Sequence, residues 1–106
     1  MLYLNIYILF LFYISMNLRK CTTSSGKEIL AGKDSESNEL LVEQSKDNEI
    51  VLHTKSPGSP FVNIKGKATQ VTRKDLREAA IFCAKNSQAW KKLGKRDLTV
   101  PWFLAK

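Results

Sequence analysis

The stretch TRKDLREAAIFCAKNSQAW, Thr72 to Trp90, constrains the fold more than any other part of the chain. At about 100° per residue, Leu76, Ala79, Ala80, Cys83, Ser87 and Trp90 share one face and Lys74, Arg77, Lys85, Gln88 and Lys92 the opposite one. Thr72 and Asp75 have capping-box spacing, so their side chains can meet the free N–H groups of a helix that starts at Arg73. Lys91 to Arg96, with Gly94 inside it, is the stop signal. A helix with one apolar stripe has to lay that stripe on something. In 106 residues there is room for one small domain to provide it.

The partner surface reads as a sheet. Ile50-Val51-Leu52-His53 and Phe61-Val62-Asn63-Ile64 are short apolar, β-branched runs on either side of Ser56-Pro57-Gly58-Ser59-Pro60, two buried strands joined by a turn. Cys21-Thr22-Thr23 and Glu28-Ile29-Leu30-Ala31 flank the polar, glycine-bearing Ser24–Lys27 and suit a hairpin. Gly32-Lys33-Asp34 breaks the second strand. Asp34 or Ser35 then caps a first helix reaching about Ser45, with Glu36 in its first turn and Leu40, Leu41 and Gln44 facing inward. Leu98-Thr99-Val100 and Trp102-Phe103-Leu104 read as a last strand, in which Pro101 lacks a ladder donor and marks an edge or bulge. The order ββαββαβ predicts an α+β fold, a small mixed or antiparallel sheet with two helices packed on it.

Residues 1–15 stand apart as an uncharged apolar extension, and residues 16–106 form the domain. Read through Leu18, the apolar run approaches the roughly 20 residues of a membrane span, with Arg19 and Lys20 as flanking charges. It lacks the basic start and small-residue cleavage site of a signal peptide. Two readings stay open: an artefactual upstream start with translation beginning at Met16, or a membrane segment through residues 1–18.

Charge points to the partner. Seventeen Lys and Arg against ten Asp and Glu leave a net charge of +7, which favours a polyanion or an anionic membrane surface. The two signs are segregated: Glu28 to Lys55 carries seven acidic and three basic residues, Lys65 to Arg96 ten basic and two acidic. Enzyme chemistry finds little support, because His53 is the only histidine and has no carboxylate at a recognisable spacing. Ser56 and Ser59 beside it are ordinary turn formers. Cys21 and Cys83 make neither a redox pair nor, with His53, a metal motif, and the lysines after Gly26 and Gly66 lack the glycine-rich loop of a nucleotide site. No catalytic residue, metal, cofactor or small-molecule substrate is expected. Lysines in the turn, the strand and the helix face suit phosphate-backbone binding, and with no aromatics interleaved among them the recognition expected is of phosphate and shape.

Ordered blocks then carry a resemblance: Ile29 to Asp34, Asn38 to Val42, Glu49 to His53, Pro57 to Pro60 with Val62 and Ile64, and Glu78 to Ala80 through Ala84, Ser87 and Trp90. Together, over about Cys21 to Leu104, they resemble the NFACT-R domain, which closes the NFACT proteins of ribosome-associated quality control and also occurs as small stand-alone proteins. The resemblance implies an α+β fold, no catalysis, and binding of tRNA or rRNA on the large ribosomal subunit. Asn38, His53, Pro57, Gly58 and Ser59 fall on the family's patterns. Val51-Leu52 departs from them, standing where many relatives have an aromatic. Relatives also continue past the position of Lys106, so the domain is expected to be C-terminally incomplete. The expected RNA-binding residues are His53, Lys55, Ser59, Lys65, Lys67, Arg73, Lys74, Arg77, Lys85 and Lys92. The alternatives are a membrane-tethered basic domain that contacts anionic lipid or extracellular nucleic acid, and a truncated gene fragment.

Overall fold

The computed structural model describes Ile6, Leu9 and residues 17–106. Apart from Ile6 and Leu9, the expectations for residues 1–16 lie outside the described residues. Five strands, β1 (Arg19–Thr22), β2 (Glu28–Ala31), β3 (Ile50–Leu52), β4 (Val62–Ile64) and β5 (Trp102–Leu104), form one sheet in the order β1-β2-β4-β3-β5. Every pairing is antiparallel, which decides between the mixed and antiparallel alternatives. Helix α1 (Ser35–Gln44) follows β2, and α2 (Arg73–Lys85) and the single turn α3 (Gln88–Lys91) follow β4. This is the expected α+β order, with α3 and a 3-10 turn at Ala68–Gln70 added.

Strand alternation divides the apolar residues between the two helices. Ile29 and Ala31, Ile50 and Leu52, and Val62 and Ile64 form one cluster with Ala79 and Cys83 of α2. Leu30 joins Leu18 and Leu41 of α1 in a second cluster. Val51, Leu52, Val62 and Ile64 have no exposed surface. At about 1.5–3 kcal/mol for each large aliphatic side chain fully buried, these two layers are the main source of stability. Val51-Leu52 thus fills an interior strand with fully buried aliphatics.

Both helix starts follow the sequence. Asp34 accepts from Ser37 N–H at 2.8 Å, which makes Asp34 rather than Ser35 the cap of α1. Thr72 accepts from Asp75 N–H, and the Asp75 carboxylate accepts from Thr72 N–H, both at 3.0 Å. The helix expected to run on to Trp90 is interrupted at Asn86-Ser87. Asn86 Nδ2 donates to Phe82 O at 2.8 Å, and Ser87 Oγ donates to Ala84 O and accepts from Trp90 N–H, so short polar side chains close one helix and cap the next. Ser87 nevertheless stays buried and Trp90 half-buried, as the stripe requires.

Helix α2 packs on β3 and β4 and is tied down at both ends. At one end Ser24 N–H donates to Glu78 Oε2 and Ser25 Oγ to Asp75, tying the helix start to the β1–β2 hairpin. At the other, Gln88 N–H donates to Gly58 O at 3.0 Å and Cys83 Sγ to Pro60 O at 3.5 Å, tying its end to the β3–β4 turn. Only Trp102–Leu104 of the expected last strand is regular. Thr99 O and Pro101 O accept from Lys55 and His53 N–H, so Pro101 turns its missing donor toward β3. No helix among the described residues is long and apolar enough to cross a membrane.

Candidate nucleic-acid interface

The fold distributes the ten expected residues between the ends of α2. Arg73 and Lys74 open α2 and Arg77 lies one turn on, all exposed, as is Lys67 before the helix, while Lys65 at the end of β4 is half-buried. At its end are Lys85 and Lys92, also exposed, with the β3–β4 turn that carries His53, Lys55 and Ser59. Lys55, Lys67, Arg73, Lys74, Arg77, Lys85 and Lys92 have no ion-pair partner among the described residues.

Two of the ten are engaged inside the protein. Lys65 Nζ donates to Glu49 Oε1 at 2.9 Å, Gln44 Oε1 at 3.0 Å and Asn63 Oδ1 at 3.2 Å, closing a polar network around the buried Asn63. Asn63 completes it by donating to Ile50 O and accepting from Gln44 Nε2. Burial pushes the Glu49 carboxyl up, but Lys65 and the N–H groups of Gly66 and Lys46 outweigh it and hold the group below the usual carboxylate range. Ser59 is buried, and its hydroxyl accepts from Thr54 N–H at 3.1 Å. It therefore sets the shape of the turn from within.

Beside that turn lies a cleft of about 370 Å³. His53 and the Gly58-Ser59-Pro60 backbone form one wall, the start of α1 another, and Asn86, Gln88 and Lys91 a third, with Arg19 and Lys33 completing the lining. The His53 ring packs against Phe61, with centroids 4.4 Å apart. Phe61 is itself held at the β4 entry: its N–H donates to Asn38 Oδ1 and its carbonyl accepts from Gly32 N–H, both at 3.0 Å. Gly58 has φ +81°, which glycine adopts without strain, and the Gln88 side chain lies over it. Arg19 donates to Gly32 O at 2.8 Å. Asp34 is the carboxylate in the cleft lining, and the N–H and hydroxyl of Ser37 draw its pKa down.

Arg19, Lys33, Asn86, Gln88 and Lys91 were not among the expected residues. Their only advance signal is the hairpin register, which sets Arg19 opposite Ala31 and so beside Gly32-Lys33. The α2–α3 break brings Asn86 and Gln88 to the turn, and no sequence pattern announced it. Elsewhere the chemistry is sparse. Cys21 and Cys83 are free thiols, and no group of three His, Cys, Asp or Glu that could hold a metal occurs among the described residues.

The structure is thus a five-stranded antiparallel sheet between two helices, with exposed cations along one helix and a cleft at its end, an α+β fold. The chain belongs to the NFACT protein RNA binding domain family, whose model matches residues 10–104. It is 36% identical over 84 residues to the archaeal Rqc2 homolog aRqcH of Methanocaldococcus jannaschii, a stretch covering 78% of this chain and 12% of that protein. The C-terminal part of the fibronectin/fibrinogen-binding protein from Streptococcus suis has the same fold, with a TM-score of 0.74 and 22% identity. That match covers 84% of this chain and 35% of the other.

Proposed function

We propose that the chain is a non-catalytic module that binds structured RNA, tRNA or rRNA, through phosphates, in a role related to ribosome-associated quality control. The observation that carries this reading is the set of exposed cations along α2 and at its two ends that have no ion-pair partner among the described residues. Counter-charge that a protein leaves unpaired over such a length suits a polyanion tracked by its backbone. Family membership supports RNA as that polyanion, and the similarity to an Rqc2 homolog supports the ribosomal setting. His53 and Ser59 act by fixing the turn that presents Lys55, and Lys65 contributes through the network it closes.

The test is RNA binding as a function of salt. Affinity should fall steeply as salt rises, and the Lys74→Gln/Arg77→Gln/Lys85→Gln variant should lower the log–log slope by about two to three, roughly one for each phosphate no longer neutralised. Binding that ignores salt, or no binding at low ionic strength, would remove the reading.

A further inference from the structure

We propose that the cleft beside the β3–β4 turn holds one unpaired nucleotide of the bound RNA, reading its base edge while exposed lysines take the neighbouring phosphates. This deepens the RNA-binding reading and rests on it. Two carboxamides at the cleft have a fixed orientation. Asn38 uses Oδ1 to accept from Phe61 N–H, which leaves its Nδ2 as a donor. Asn86 uses Nδ2 to donate to Phe82 O, which leaves its Oδ1 as an acceptor. Both residues line the same cleft, and Gln88 adds a third carboxamide. His53, backed by Phe61, supplies an aromatic wall.

That lining is wrong for a bare phosphate, which accepts hydrogen bonds and is repelled by an acceptor such as Asn86 Oδ1 or the Asp34 carboxylate. It suits a base, whose edge carries donors and acceptors together and whose face stacks on aromatic rings. Of the three cations at the cleft, Arg19 is half-buried and donates to Gly32 O, while Lys33 and Lys91 are exposed and suit the phosphates on either side. At about 370 Å³ the space falls at the small end of ligand pockets, in keeping with one nucleotide and not a duplex.

The experiment uses the full 106-residue chain and one RNA hairpin in three forms: blunt, with a short single-stranded tail, and with an abasic tail of equal length. The abasic tail keeps the phosphates and removes the bases. Fluorescence anisotropy should show the tailed hairpin binding about tenfold more tightly than the abasic one, in the range of one stacked base. Gln88→Ala, at an exposed position, should shrink that ratio toward one, whereas Lys33→Gln should weaken the tailed and abasic forms alike and leave the ratio in place. If tailed and abasic forms bind alike while the blunt hairpin still binds with a steep salt dependence, the nucleotide site is wrong and the phosphate reading stands. A tail advantage that survives Gln88→Ala places the base elsewhere and also overturns the proposal. If none of the three RNAs binds, both readings fall.

Discussion

Replacing Glu49 by Gln should destabilise the protein by about 2–3 kcal/mol. The side chain is 7% exposed and accepts three hydrogen bonds: Lys65 Nζ at 2.9 Å and Lys46 N–H at 2.8 Å on Oε1, and Gly66 N–H at 3.1 Å on Oε2. Gln keeps the shape, but its NH₂ then faces either the Gly66 N–H or two donors at once. An orphaned buried donor costs about 1–3 kcal/mol, and weakening a charge-assisted bond adds about 1 kcal/mol. The cost stays below the roughly 3–5 kcal/mol typical of breaking a fully buried pair, because Lys65 is 24% exposed and keeps Gln44 and Asn63. Urea unfolding at neutral pH measures it. The folded pKa of Glu49 lies below its unfolded value of about 4.3, so this stabilisation is present above that pH and is lost as pH falls through the folded value. Parent and variant should therefore converge in acid. A variant within about 0.5 kcal/mol of the parent at neutral pH would show a solvent-screened surface pair and refute the reasoning.

Three further outcomes follow from the same packing. The Ser25 hydroxyl first, then Thr72 N–H, hold the Asp75 carboxyl well below the usual range, so its contribution is complete above pH about 4 and lost below it. Tm against pH should drop in that window for the parent and drop less for Asp75→Asn. A methyl at Gly32 would overlap Asn38 Oδ1, so Gly32→Ala should cost about 1–3 kcal/mol and loosen Phe61 from the β4 entry; calorimetry unchanged from the parent would contradict that contact. Burial pushes the Cys83 thiol up to about 12, and burial and then Glu78 raise Cys21. Mass spectrometry after brief iodoacetamide treatment at a pH of about 8 should find Cys83 unmodified until urea unfolds the chain, and partial modification at half-buried Cys21.

What the sequence made legible was whatever is settled within one element. Asp34 and Thr72 cap their helices by hydrogen bonds to the residue three positions on, and alternation in β2, β3 and β4 assigns each apolar side chain a face without reference to the partner. Periodicity also named the exposed face of α2 correctly, because burial of Ala79 and Cys83 fixes where Lys74, Arg77 and Lys85 point. It could not foresee the break at Asn86-Ser87. Both residues have ordinary helical spacing, and the Gln88 N–H that a continuous helix would turn to Ala84 O goes instead to Gly58 O across the turn.

The candidate site was less legible for the same reason: its members meet across elements. Lys65 and Lys67 look alike in the sequence, yet Glu49, sixteen residues before Lys65, binds that ammonium and leaves Lys67 to solvent. A count of positive charge treats the two as equal. The fold makes one a structural cation and the other a free one. By the same rule, the cleft at the end of α2 depends on three separate strand or helix ends meeting. Lys33, Asn86 and Lys91 acquire a common purpose only where the β1–β2 register, the Pro-Gly-Ser turn and the α2–α3 break converge. An interface built this way is sensitive to the length of the β3–β4 turn. Inserting one residue between Gly58 and Ser59 would separate Gln88 N–H from Gly58 O and Thr54 N–H from Ser59 Oγ, opening the cleft while leaving the cations of α2 in place. Such a variant should keep the salt slope of RNA binding and lose the preference for a base-bearing tail. Loss of the slope as well would mean that the cleft and the helix face are one site.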